Sequence, residues 1–140
     1  MMTQEQLLEV TKGDENAANF LAAFQDKAHL LDDVLDQDHP RSPDEHYMTE
    51  LNWLLTLTSN PFVQQHSAKL VPVMALGINA WADSNVMQKS VKRRDRMAAD
   101  VVKGFYHEIL WLVALICGGY DHMRVVSLKY RNYNFEEDLT

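Results

Sequence analysis

The sequence predicts an all-α fold, a compact bundle of about five to six helices. Three observations carry this. The 140 residues hold only five glycines and four prolines, too few for the many turns of an all-β domain. Apolar residues recur at a spacing of about 3.6, and no period-2 alternation stands out. Helix-start signals also return at intervals short enough to leave only brief connections between antiparallel neighbours.

Taken in order, Asp14 is placed to cap a helix that runs to about Asp36. Its apolar face is Ala17, Phe20, Leu21, Phe24, Ala28, Leu31 and Leu35. His39 precedes Pro40 and is pushed out of the helical region, which ends the element. "SPDE" then supplies Ser42 at the N-cap, Pro43 at the first helical position and Glu45 three residues after the cap. This helix carries Tyr47, Met48, Leu51, Leu54 and Leu55 on one side and ends near Ser59. Trp53 lies opposite that side and is a candidate interface residue.

Asn60 and Pro61 open a short helix to about Leu70. Pro72 begins another that reaches about Gln88, with Val71, Met74, Ile78, Trp81, Ala82 and Val86 as its apolar residues. Ser90 is placed to cap a long, largely buried helix over 91–117, stopped by Gly118 and Gly119. A last helix covers about Asp121 to Arg131, and 132–140 reads as a short flexible tail. The length and the continuous pattern suit a single domain over 1–140.

The net charge of −7 and pI near 5.2 speak against general nucleic-acid binding, which draws its affinity from Lys and Arg. The single cysteine, Cys117, excludes an intrachain disulfide and a cysteine-based zinc site, and reads as a small buried hydrophobe. "MMTQEQLLEV" lacks the basic-then-apolar pattern of a signal peptide. The longest apolar run, Ile109 to Cys117, is nine residues, where a bilayer span needs about 20. The expectation is therefore a chain without a membrane partner, in the cytoplasm.

The chemistry-bearing residues begin with "HLLDDVLDQD", residues 29–38. At about 100° per residue, Asp32 and Asp36 fall on one flank of the apolar stripe, while Asp33, with His29 nearby, points away. Asp33 and Asp38 are thus expected in water. Two carboxylates four apart near a helix C-terminus repel each other and oppose the dipole. A bound Mg²⁺ or Mn²⁺ would reverse both penalties; a solvated, frayed helix end is the plain alternative.

Asn79 and Asp83, also four apart, sit on an otherwise apolar helix. They are either further metal ligands or core polar groups. Asp100, Gly104 and His107 share a stripe on the long helix, with Glu108 beside them. Ionisable groups in such surroundings are costly unless paired or ligated, so His107 and Glu108 are candidates to orient a ligand or a water. A buried network that only fixes the packing is the alternative. Arg93, Arg94 and Arg96, with Lys92, form the one basic cluster, suited to a phosphate, a partner surface or solvent. His46 is expected outside, and His66 has no clear place.

"DDVLD", Asp32 to Asp36, is similar to the D-D-x-x-D metal motif of isoprenoid diphosphate synthases, which implies Mg²⁺ held by Asp32 and Asp36. The match covers five residues. In the family's second motif Asn79 matches, but Asp83 replaces a serine and Met87 a glutamate, and the chain is about half the length of that fold. More of the chain looks like a group of small uncharacterised proteins of tailed phages and prophages. The residues that carry this are "DDVLDQD", "NPFVQQH", "INAWADSN" and "VVKGFYHEILWLVALICGG". That resemblance implies an origin, and a host-cell cytoplasm, but no activity. Two functions follow as expectations. One is an interaction or accessory protein with a protein partner or a second copy of itself. The other is a divalent-metal-dependent phosphate or diphosphate hydrolase built on Asp32, Asp36, Asn79 and Asp83.

Overall fold

The structure, a computed structural model, describes residues 1–36 and 41–131; the side chain of Asp36, all of Asp38, and the predicted tail at 132–140 lie outside the described residues. The all-α prediction holds: every regular element among the described residues is a helix. In order these are α1 (Gln4–Val10), α2 (Glu15–Asp36), α3 (Pro43–Ser59), α4 (Pro61–Met87), α5 (Arg93–Gly104), a single 3₁₀ turn (Phe105–Glu108) and α6 (Ile109–Tyr130). They fall into two compact units, Met1–His66 and Ser67–Thr140.

In the N-terminal unit the caps form where the sequence places them. Asp14 Oδ1 accepts the Ala17 N–H at 2.9 Å. Ser42 Oγ accepts the Glu45 N–H at 3.2 Å, with Pro43 at the first helical position. Asn60 Oδ1 accepts from Phe62 and Val63, each cap meeting donors that the helix leaves unserved. Helix α1 is an addition to the sequence reading. It opens with a reciprocal capping box between Thr3 and Gln6, a signal present in "TQEQ".

α2 is the centre of this unit. Ala17, Phe20, Leu21, Phe24 and Ala28 are buried as the periodicity predicts, joined by Leu30 in place of the exposed Leu35. Phe20 and Phe24 gather Trp53 of α3 at ring separations of 6.1 and 6.3 Å, and Phe62 lies 6.2 Å from Phe20.

α3 is turned over relative to expectation. Trp53 faces inward onto the phenylalanines, Thr49 is buried, and the predicted apolar side points to solvent. His46 and His66 are half-buried, and His66 rests against Phe62 at 4.8 Å.

α4 is one helix, not two. Pro72 lies inside it, and Ala68, whose carbonyl Pro72 cannot serve, is on the exposed side, where water can replace the missing donor. Its buried residues in the C-terminal unit are Leu70, Gly77, Trp81 and Ser84, so Val71, Ile78 and Val86 are exposed. Gly77 has a reason to be glycine: a Cβ there would stand 3.1 Å from Tyr106 Cα and 3.3 Å from Tyr106 O. The missing side chain lets α4 meet the 3₁₀ turn at backbone distance. Trp81 then packs edge-on against Tyr106 at 4.7 Å.

The expected long buried helix over 91–117 is corrected. It is broken by the 3₁₀ turn, and α5 is mostly exposed. Burial begins in earnest at α6, with Ile109, Leu110, Trp111, Val113 and Ala114. The predicted stop at Gly118 and Gly119 is a kink: Gly119 takes φ 86°, and helical turns continue beyond it to Tyr130. Cys117 is half-buried and in no disulfide. Across Arg93–Tyr130 one stretch is long and apolar enough to cross a membrane by length and composition, a test that the core helix of a soluble protein also passes.

Candidate functional site

The predicted metal-site residues are distributed as follows. Asp32 is half-buried on α2 of the N-terminal unit, and Asp36 is the last residue of that helix. Asn79 and Asp83 are exposed on α4 in the C-terminal unit. Among the described residues no group of three or more His, Cys, Asp or Glu side chains is arranged to hold a metal ion. His107 is half-buried in the 3₁₀ turn, its ring edge-on to Tyr106 at 5.6 Å. Glu108 is ion-paired with Arg131, whose guanidinium lies 5.6 Å from the Trp111 ring. Asp100 is exposed on α5, and the 3₁₀ turn takes His107 off the helical stripe predicted to hold both. Burial raises the pKa of the Tyr106 phenol above its usual 10.0, since the charged form loses its water.

Asp33 is not the water-facing residue its wheel position implies. Arg41 returns across the α2–α3 connection and donates from Nε to Asp33 Oδ2 at 3.0 Å, leaving that side chain 12% exposed. Arg41 also reaches Asp26 Oδ1 at 3.4 Å and Thr49 Oγ1 at 3.2 Å, and Thr49 donates to Asp26 at 3.2 Å. Asp26 and Asp33 are seven apart, two turns, so one guanidinium can span both. Together with the Lys27–Glu50 ion pair, this network decides which side of α3 faces α2.

Its consequence is the most distinctive surface of the N-terminal unit. Tyr47, Met48, Leu51, Leu54 and Leu55 are 51–69% exposed and lie on one stripe of α3 about 120° wide. The helix carries Asp44, Glu45 and Glu50 and no Lys or Arg. The sequence shows this stripe as the apolar side of the helix, and the structure turns it outward.

In the C-terminal unit α5, with the first residue of the 3₁₀ turn, carries a narrower counterpart. Met97, Val101 and Phe105, four apart, are 68%, 59% and 49% exposed. Arg93, Arg94 and Arg96 are exposed around them, with Lys92 at the N-cap. Of the four cations, Arg96 donates to the Ser90 carbonyl at 2.8 Å. The sequence reading found the basic cluster and missed the apolar residues beside it, whose i, i+4, i+8 spacing is the signal of a basic amphipathic helix.

Compared with known proteins, the chain matches no protein-family model, no curated protein and no solved structure.

Proposed function

We propose that this chain is a non-catalytic interaction or accessory protein, of the kind carried by tailed phages, and that the outer face of α3 is its docking surface. The observation that supports this is the outward apolar stripe Tyr47–Leu55 on a helix already anchored from its other side by Trp53 and Thr49. A contiguous apolar stripe rimmed by polar groups marks a binding site in a soluble protein. Side chains four and three apart on one helix face are also the anchors by which helices recognise grooves and one another. The absence of any basic residue on α3 favours a partner with a cationic rim.

The test is capture from cell extract on immobilised protein, comparing the native chain with the double variant Leu51→Asp, Leu54→Asp. Specific capture lost in the variant is expected. Equal capture by both would end the proposal. So would metal-dependent turnover of nucleotides or diphosphates with Mg²⁺ or Mn²⁺ that disappears in Asp32→Ala, since that outcome belongs to the hydrolase reading.

A further inference from the structure

We infer that the partner of the α3 face is the α5 face of a second copy of this chain. This rests on the reading of α3 as a docking surface and names its occupant. The two faces match in length. Tyr47, Leu51 and Leu55 span eight residues, and so do Met97, Val101 and Phe105, about 12 Å at 1.5 Å per residue. Both ridges repeat every four residues, and Met48 and Leu54 flank the α3 ridge to form the holes into which the α5 side chains fit.

Charge selects this pairing over the symmetric ones. α3 has three acidic residues and no basic one, a net −3; Arg93–Gly104 has four basic and two acidic residues, a net +2. Two α3 faces would bring like charges together, and so would two α5 faces. Only α3 against α5 brings opposite signs to the rim of the apolar contact. The contrast extends to the chain as a whole: residues 1–66 hold twelve acidic and three basic side chains, net −9, against eight and ten in 67–140, net +2. Because the two patches differ, each contact joins unlike faces. The pairing is satisfied either reciprocally, in a two-fold dimer, or head to tail, in a ring or an open chain.

The experiment is sedimentation velocity on the full chain, from micromolar to hundreds of micromolar, at low salt and in about 1 M NaCl, where the Debye length falls to roughly 3 Å. The native chain should associate with concentration, and less so at high salt. Two charge-reversal variants sharpen this: Asp44→Lys with Glu45→Lys on α3, and Arg93→Glu with Arg94→Glu on α5. These positions are exposed, and circular dichroism checks that each variant keeps its helices. Each alone should associate about tenfold more weakly than the native chain, and an equimolar mixture should recover association, because the reversed faces complement each other.

A native chain that stays monomeric at every concentration overturns the inference. So does association that survives Leu51→Asp with Leu54→Asp, a mixture that fails to recover, or association unchanged by salt. Monomer binding to phosphatidylserine vesicles, lost in Met97→Asp, would assign the α5 face to anionic lipid and overturn it as well. If self-association fails while α3-dependent capture of another protein persists, only the identity of the occupant falls. If both fail, the docking reading falls with it.

Discussion

α2 and α3 both carry an apolar stripe, yet α2 buries its stripe and α3 turns its own to solvent. The difference lies in what the opposite side of each helix offers. α2 sets Phe20, Leu21 and Phe24 against its neighbours, while Asp26 and Asp33, off that stripe, bond Thr49 and Arg41. α3 has two usable faces. The one that wins holds fewer aliphatic groups, but it holds Trp53, which meets Phe20 and Phe24, and Thr49, which meets Asp26 and Arg41. Turned the other way, α3 would take Thr49 from Asp26 and Glu50 from Lys27 and set leucines beside these charged groups. A periodic stripe therefore says that a helix has an adhesive side; its neighbour's polar groups decide whether that side is the core.

The largest test of this contrast compares the two sides of α3 directly. Trp53→Ala should destabilise the N-terminal unit by about 3 kcal/mol, the low end for a large aromatic because Trp53 is half-buried. Leu54→Ala, on the outer side, should stay within about 0.5 kcal/mol. Urea unfolding followed by tryptophan fluorescence and by circular dichroism measures both. If the two costs come out reversed, the face assignment is wrong.

A second test takes the polar half of the argument. Arg41→Met keeps the aliphatic stem and removes the donors, stranding Asp33 at 12% side-chain exposure. The cost should be about 1–3 kcal/mol, that of a desolvated acceptor left without its bond. Asp33→Asn in the Arg41→Met background should recover part of the loss, because a neutral amide is cheaper to leave unpaired. Additive losses in the double variant would mean that the two residues do not act as a pair.

What the sequence conveyed follows the same division between local and non-local causes. The starts at Asp14, Ser42 and Asn60 were legible because a cap is decided within three residues, and the α2 core because its aromatics lie on one stripe. The burial of Asp33 was not, since its cover comes from Arg41, eight residues away across a connection. Neither was the break at Phe105–Glu108: the apolar run reads as one helix, and only the close approach of Gly77 to Tyr106 shows why the chain tightens there. Of the candidate site, residue types were legible and their neighbours were not. Asp32 and Asp36 fall in one unit, Asn79 and Asp83 in the other, while Glu108 is matched to Arg131.

The C-terminal unit repeats the contrast in α4. Val71, Ile78 and Val86 face outward, and the inward side is chosen by the smallest residue, Gly77, and by Trp81, which together seat Tyr106. This gives the mildest test, read in pH. Burial raises the Tyr106 pKa, so the folded state holds the phenolic proton more tightly than the unfolded chain does. The stability tied to that proton is present in full below the unfolded value near 10 and is lost as pH rises through the folded value. Urea midpoints taken from about pH 8 to 11 should therefore fall at the alkaline end, and fall less steeply in Tyr106→Phe, which has no proton to lose. Parallel profiles for the native chain and the variant would show that the phenol is not desolvated in solution. The inward side of α4 would then rest on Gly77 and Trp81 without it.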